Sequence, residues 1–183
     1  MIDCAYIQSV SKLAPLINNE LLYPYYCDNY SDESLSIVHR SSMYNKLALF
    51  VMLKTLLRFS DLQKFDLPTA VKNKIYHIRQ SKTDRNMTLD FIIVNDNLRQ
   101  QLLSIKDFSQ YLNYENLRNE IRWITPHTIQ HVLLGHNRST HIFRHLETSF
   151  LTRKGLTSKQ IARRLGHADI STQKIYTHEF PLL

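Results

Sequence analysis

The sequence is poor in glycine, proline and cysteine, and these shortages exclude several kinds of protein. Among 183 residues there are 3 glycines and 5 prolines. So few glycines argue against a glycine-rich phosphate loop, and so few turn residues argue against a turn-rich all-β fold. The two cysteines, Cys4 and Cys27, form no CxxC pair and are too few for a disulfide framework, which favours reduced thiols in a cytosol.

Targeting and membrane-spanning signals are also missing from the sequence. Met1 is not followed by a basic region and an apolar core, so no signal peptide is predicted. The most apolar stretch, residues 47–57, is interrupted by Lys54 and is too short to cross a bilayer. We therefore expect a soluble, cytoplasmic protein with no membrane partner.

Positive charge is present in excess. Lysine and arginine number 23 against 16 aspartates and glutamates, which gives a net charge of +7 and a pI of about 9.4. A basic domain of this size favours a polyanionic partner such as nucleic acid, although charge alone fits a merely soluble basic protein equally well. The 43% of hydrophobic residues can build a core for one domain, with at most a small appendage.

Apolar periodicity predicts a mixed α+β fold that is mainly helical. Residues 41–57 are apolar around most of a helix, which predicts a central core helix. Residues 75–80 and 87–94 are rich in β-branched residues and flank a polar turn, which predicts an antiparallel β-hairpin. Further helices are predicted over residues 95–105, within 107–124, and over 125–135, 141–154, 157–165 and from 171 onward.

The first 40 residues give a weaker pattern. Residues 7–17 have helical periodicity that Pro15 interrupts, and residues 21–30 are aromatic and irregular. Ser31 and the acidic residues after it predict a helix start, because hydroxyl and carboxylate oxygens accept from the free N–H groups of a first turn.

Two local patterns could carry chemistry. His141 and Arg144 are spaced i and i+3, so on a helix they share one face near its N-terminus, which suits an anion. Taken alone this pattern occurs by chance more often than by function. His167 follows a glycine and precedes Tyr176 by nine residues. Taken singly, these two are a polar loop residue and a half-buried aromatic.

Together the patterns resemble the C-terminal signature of the tyrosine recombinases of the phage integrase family. Residues 141–145 (HIFRH) resemble the family's H-x-L-R-H, and residues 165–178 (LGHADISTQKIYTH) resemble its L-G-H followed nine residues after the histidine by Y-x-H. Residues 55–62 (TLLRFSDL) resemble its T-G-L-R-x-S-E/D-L and contain Arg58. Lys82 lies in the predicted hairpin turn, where the family carries a lysine. The resemblance covers roughly residues 41–178.

Some features depart from the family pattern or compete with it. Leu56 stands where the family has a small residue, so the backbone around Arg58 could pack differently. Lys72, Lys74 and Arg85 are near Lys82 and compete for its assignment. A second Leu-Leu-Gly-His at residues 133–136 has His145, not tyrosine, nine residues on, so we interpret it as a chance repeat.

The resemblance implies the catalytic-domain fold of these enzymes and cleavage and rejoining of DNA strands by transesterification. It implies that Tyr176 attacks a scissile phosphate to give a 3′-phosphotyrosine. Arg58 and Arg144 would bind the non-bridging oxygens, His141 would position or deprotonate the tyrosine, and His167 would bind a phosphate oxygen. Lys82 would protonate the leaving 5′-oxygen. Asp61 would orient Arg58 or support the fold, and no cofactor would be needed.

Two other types of site are possible from the residues present. A set of basic residues surrounds the predicted catalytic helices and forms either a solvated face or contacts to DNA phosphates. These residues are Arg153, Lys154, Lys159, Arg163 and Arg164. His141 and His145 are spaced i and i+4, but without HExxH or CxxC we expect no metal site.

The expected organisation is an N-terminal helical or irregular segment, residues 1–40, followed by the catalytic domain, residues 41–183. The segment is too short for the family's helical core-binding domain, so the chain is either an excised catalytic domain or resembles the short fimbrial-inversion recombinases. The expected partner is double-stranded DNA, not a small molecule, with a monomer in isolation and a tetrameric synapse on DNA. A related resolvase and a non-catalytic DNA-binding relative remain alternatives.

Overall fold

The protein is mainly helical with one β-hairpin, as a computed structural model that describes residues 4–125 and 139–166 shows. The helices are α1 (Cys4–Glu20), α2 (Pro24–Asn29), α3 (Asp32–Arg40), α4 (Lys46–Thr55), α5 (Phe59–Leu62), α6 (Leu67–Asn73), α7 (Asp96–Leu103), α8 (Tyr114–Ile124), α9 (Ile142–Arg153) and α10 (Ser158–Leu165). The strands are β1 (Ile75–Arg79) and β2 (Asn86–Asp90), and 3₁₀ turns span Phe108–Tyr111 and Ser139–His141. This confirms the predicted mixed, mainly α-helical fold class.

Helix α4 is the centre of the core. All ten of its residues are buried, and α1 and α3 pack against it. Because the helix is apolar on every side, it must be enclosed by neighbours. The prediction of a central core helix is therefore confirmed, but the helix begins at Lys46 rather than at Ser41, since residues 43–45 form a turn.

The first helix is longer than its sequence predicts. Pro15 does not interrupt α1, which continues to Glu20. Pro15 is exposed, while Val10, Leu13 and Ile17 on the opposite face are buried in the same core as α4. Burial of that face stabilises the helix enough to offset the lost backbone hydrogen bond. The domain boundary after residue 40 stays a prediction.

Helix starts are where the capping residues predicted them. The side chains of Ser31, Asn95 and Thr157 each accept a hydrogen bond from a backbone N–H in the first turn of their helix. Thr157 and Gln160 form the complete capping box. The stretch 21–30 that looked irregular contains the short α2, whose first residue is Pro24.

The hairpin has the predicted order but shorter strands. Ile75 pairs with Asp90 and Arg79 pairs with Asn86, in antiparallel register. Ile78, Met87 and Leu89 point into the core, while the opposite face is exposed. Pairing ends at Asp90, so residues 91–94 lie outside the strand that the sequence predicted.

A buried polar cluster, formed by Glu20, Tyr26 and Lys54, joins α1, α2 and α4. The Glu20 carboxylate accepts hydrogen bonds from the Tyr26 hydroxyl (2.8 Å) and from the backbone N–H groups of Val94 and Asn95 (2.7 Å each). The Lys54 ammonium donates to the Ile92 carbonyl oxygen (2.6 Å) and the Tyr26 hydroxyl (3.2 Å). The cluster therefore fixes the segment before α7 to the first helices.

Aromatic rings enclose the ammonium of Lys54. Five ring centroids lie 5.0–6.0 Å from its Nζ atom, those of Tyr25, Tyr26, Tyr30, Phe50 and Phe91. Burial lowers the pKa of Lys54 to about 7, although the charge of Glu20 opposes that shift. Burial likewise raises the pKa of the Tyr26 hydroxyl. The lysine can thus change charge near neutral pH.

Two predicted helices fall outside the described residues. These are the helix over 125–135, except for its first residue, and the helix from 171 onward. Among the described residues, no helix is long and apolar enough to cross a membrane.

Candidate active site

The loop after α4 carries Arg58 and has an unusual backbone. Leu56 ends α4 in the left-handed conformation, with φ at 51°. This conformation costs a residue with a side chain roughly 1–2 kcal/mol. It turns the chain so that Arg58 stands half-buried at the start of α5. Among the described residues, the buried Nη1 of Arg58 has no hydrogen-bond partner.

Asp61 connects this loop to the β-hairpin. Its side chain is fully buried, and Oδ1 accepts a hydrogen bond from the backbone N–H of Ser81 (2.8 Å). Ser81 directly precedes Lys82 in the hairpin turn. The structure therefore assigns Asp61 a contact with the hairpin turn, and among the described residues its Oδ2 has no partner.

Lys82 is exposed at the tip of the hairpin turn. The turn is closed by backbone hydrogen bonds from Gln80 N to Arg85 O (2.9 Å) and from Asp84 N to Gln80 O (3.0 Å). Of the residues that compete with Lys82, Lys72 lies in α6 and Lys74 ends that helix, whereas Arg85 lies at the other side of the turn. Lys82 thus directly follows Ser81, whose backbone N–H donates a hydrogen bond to Asp61.

Arg144 lies between the loop after α4 and the end of α10. Its guanidinium is 1% exposed and donates to the backbone oxygens of Leu56 and Leu165, the second at 2.9 Å. A guanidinium is a planar fork that can bridge two acceptors at once. Arg144 therefore ties the loop that carries Arg58 to the residues that precede His167 in sequence.

His141 lies at the junction between the 3₁₀ turn and α9, and not inside a helix as predicted. It is the residue that directly precedes α9, with φ at −94° and ψ at 2°. It is half-buried at the positive end of the helix dipole, three residues before Arg144. His167 and Tyr176 lie outside the described residues.

Helix α9 is held in place by a second buried acid. Glu147 is fully buried and accepts a hydrogen bond from the backbone N–H of Ser31 (2.9 Å) at the start of α3. Burial raises the pKa of this carboxyl, although the bond from Ser31 opposes the shift. This contact between α9 and α3 fixes the helix that carries Arg144.

The five basic residues considered for DNA contact are all exposed around the ends of α9 and α10. Lys154 Nζ lies 5.3 Å from the ring centre of Phe150, in a cation–π contact. Burial raises the pKa values of Tyr30 and Glu147, and the nearby charge of Arg164 opposes both shifts. Arg153, Lys159 and Arg163 are likewise exposed, the first at the end of α9 and the other two on α10.

The site has two features that sequence reasoning missed. One is that Gln80 is fully buried beside Gly166. The alternation of inward-facing positions in β1, continued by one residue from Ile78 to Gln80, could have indicated it. The other is the pair of carbonyl groups that Arg144 bridges, for which the sequence holds no signal. Among the described residues, no group of three histidines, cysteines or acids is placed to hold a metal ion.

Comparison with known proteins identifies the family of the sequence. The sequence profile of the phage integrase family matches residues 29–181. Tyrosine recombinase XerD from two Brucella abortus strains, biovar 1 strain 9-941 and strain 2308, is 44% identical over 46 residues. Those residues are 25% of this chain and 15% of the XerD length. No solved structure matches significantly. Because the family profile covers most of the sequence, the chain belongs to the phage integrase family.

Proposed function

We propose that this protein is a site-specific recombinase that cleaves and rejoins DNA through a 3′-phosphotyrosine at Tyr176. The supporting observation is a set of three hydrogen bonds between distant segments. Arg144 bonds to Leu56 and Leu165, and Asp61 bonds to Ser81. They gather the loop with Arg58, the turn with Lys82 and the residues before His167, as attack on one phosphate would require.

Two arginines would stabilise the transition state. Arg58 has a buried nitrogen with no partner among the described residues, which is a donor suited to a non-bridging phosphate oxygen. Arg144 would bind the other side of the phosphate. Because its guanidinium is 1% exposed, that bond requires it to become accessible when DNA binds. Its carbonyl partners would keep the fork oriented during this change.

The remaining residues would transfer protons, bind the phosphate or attack it. Tyr176 has an ordinary phenol with a pKa of about 10, so it needs a base and a positive field to react near neutral pH. His141 would position or deprotonate that hydroxyl, and His167 would bind a phosphate oxygen. The exposed Lys82 would give a proton to the leaving 5′-oxygen. The rejoining step reverses these transfers, with the 5′-hydroxyl as the nucleophile.

Double-stranded DNA would be the partner. The net charge of +7 and the exposed basic residues of α9 and α10 suit a polyanion. Assembly of four copies on DNA is part of the same proposal and rests on the family resemblance.

Covalent trapping on DNA tests the proposal. The probe is a pool of duplexes whose randomised sequence precedes a nick, with the label 5′ of the nick. Cleavage just before the nick releases a short 5′-hydroxyl fragment, so the strand stays joined to the protein. We expect a detergent-resistant adduct that proteinase removes, and sequencing of the trapped strands gives the preferred site.

Two tyrosine variants serve as the test pair. Tyr176→Phe removes the nucleophile and should give no adduct. Tyr114→Phe changes an exposed tyrosine at the start of α8 and should react as the parent protein does. An adduct that persists in Tyr176→Phe contradicts the assignment. DNA binding without any adduct would indicate the non-catalytic relative.

A further inference from the structure

Gln80 is a buried polar residue at the base of the turn that carries Lys82. Its side chain is 0% exposed. Its Oε1 accepts a hydrogen bond from the Thr83 hydroxyl (2.8 Å), and its Nε2 lies 3.4 Å from the sulfur of Met87. Both contacts stay within the hairpin, so they fix the side chain relative to the turn. Burial of a polar side chain costs free energy unless its polar atoms form hydrogen bonds, and those bonds also fix where the side chain lies.

The amide of Gln80 occupies the space next to Gly166. A Cβ atom at Gly166 would lie 2.8 Å from Cδ and 2.9 Å from Oε1 of Gln80, and closer still to Nε2. Gly166 also has φ at 65°, which favours glycine. The end of Gln80 could move aside only by giving up its contacts in the hairpin. The close approach therefore depends on both residues.

This contact joins two parts of the proposed site. Lys82 is two residues after Gln80, and His167 is the residue after Gly166. Leu165, the residue before Gly166, accepts the hydrogen bond from Arg144. On its other side, the turn is held by Asp61 through Ser81. Gln80 thus lies between the turn of the proposed general acid and the end of α10.

We propose that Gln80 is a positioning residue that sets the place of Lys82 relative to the end of α10, a role that rests on the proposed function. A general acid works only within hydrogen-bond reach of the atom that it protonates. Lys82 is exposed and long, so the turn beneath it must be fixed if its ammonium is to reach one oxygen. The contact between Gln80 and Gly166 supplies that constraint.

Replacement of the leaving oxygen by sulfur tests this role. The substrate is the duplex recovered by covalent trapping, made once with oxygen and once with sulfur at the bridging 5′ position. A thiol has a pKa of about 8.5 and leaves without a proton, so the sulfur substrate does not need Lys82. Gln80→Met should cleave the oxygen substrate roughly 10- to 100-fold more slowly, as a misplacement of about 1 Å can cost 100-fold. It should cleave the sulfur substrate at nearly the wild-type rate.

Three further variants complete the comparison. Lys82→Ala should show the same rescue by sulfur as Gln80→Met. Thr83→Val removes the hydroxyl that donates to Gln80 and should show a weaker form of it, which keeps the test available if Gln80→Met does not fold. Tyr26→Phe changes a buried hydroxyl of the distant Lys54 cluster. This variant should not slow cleavage of one substrate more than cleavage of the other.

The possible results separate the two proposals. The positioning role would be overturned if Gln80→Met and Thr83→Val lowered the cleavage rate equally on both substrates, or did not lower it at all. The proposal that Tyr176 forms the adduct would still stand. If the sulfur substrate did not restore the cleavage rate of Lys82→Ala, Lys82 would not be the general acid. Gln80 would then have no role in positioning it. Adduct formation by Tyr176→Phe would overturn the proposed function itself.

A double-mutant cycle tests the contact without DNA. Gly166→Ala should lower the Tm by roughly 4–8 °C, because left-handed backbone and a steric overlap act together. Gln80→Ala leaves room for the added Cβ, so the double variant should lose less than the sum of the single losses. Part of the decrease in Tm should remain in the double variant, because the left-handed backbone at position 166 still disfavours alanine. Strictly additive changes in Tm would contradict the contact.

Discussion

Two of the buried cations among the described residues, Arg144 and Lys54, are held by different means. Arg144 donates to two backbone oxygens, from the loop after α4 and from the end of α10. Lys54 donates to one backbone oxygen and a hydroxyl, within a ring of aromatic side chains and near Glu20. The first bridges segments of the proposed active site, and the second joins the first two helices to the core.

Their chemistry differs as much as their surroundings. A guanidinium stays charged at any pH at which the protein folds, whereas burial lowers the pKa of Lys54 to about 7. A site that binds a phosphate needs a permanent positive charge, and a structural cluster does not. Arginine thus stands at the proposed phosphate site, where a permanent charge would be used, and lysine stands in a cluster where charge can be lost.

Loss of Arg144 should have the largest effect on stability. Arg144→Leu leaves the oxygens of Leu56 and Leu165 without their donor, which should cost roughly 3–5 kcal/mol of unfolding free energy. Arg144→Lys keeps the charge but cannot bridge both oxygens, so its loss should be intermediate. Urea denaturation measures both. Arg163→Gln, on the exposed side of α10, is the control and should change stability little. Unchanged stability of the Arg144→Leu variant would contradict the bridging role.

Removal of the Asp61 carboxylate should have the next largest effect. Asp61→Ala leaves the N–H of Ser81 without its acceptor in a part-buried hydrogen bond, at a cost of about 1–3 kcal/mol. Asp61→Asn keeps an acceptor oxygen and should recover most of that loss. Thermal denaturation can compare them with Asp107→Ala, which removes a similar but exposed bond to Ser109 N. Equal losses in the alanine and asparagine variants would show that the bond to Ser81 is unimportant.

The Lys54 cluster should give a pH dependence that the Arg144 bridge lacks. The pKa of Lys54 is lowered on folding, so the unfolded chain binds more protons between pH 7 and 10.5. The free energy of unfolding therefore rises with pH in that window, by up to about 1.4 kcal/mol per pH unit. The same contribution is lost as the pH falls to 7. Below pH 7 it should be constant.

Denaturation of Lys54→Met and of the wild type between pH 6 and 9.5 measures this effect. The stability of the wild type relative to the variant should rise with pH above 7. Lys159→Met, at an exposed position of α10, should follow the wild type. A constant difference between wild type and Lys54→Met would mean that Lys54 keeps its charge throughout.

Exposed arginines should give the smallest effect, on DNA affinity alone. Arg163→Gln should reduce the slope of log binding constant against log salt concentration by about 0.9 if it contacts one phosphate. Lys12→Gln, on the exposed face of α1, should leave that slope unchanged. Binding isotherms on duplex DNA at several salt concentrations measure both. An unchanged slope for Arg163→Gln would assign it to a solvated face.

Local rules in the sequence predicted much of the fold, because caps and turns depend on neighbouring residues. Ser31, Asn95 and Thr157 each begin a helix as predicted, and the hairpin flanks the expected turn. The helix through Pro15 was missed, because its stability comes from burial against α4 and not from local propensity. The assignments of His167 and Tyr176 stay predictions.

By itself the sequence determined which chemical groups are present and on which elements most of them lie, since these follow from residue type and short-range spacing. It also determined the family, through motifs whose order and spacing can be read along the chain. Tertiary structure decided that Arg144 bridges Leu56 and Leu165, that Asp61 holds Ser81, and that Gln80 meets Gly166. Such contacts join residues that are 20 to 88 positions apart, so they depend on packing of the whole core rather than on local sequence.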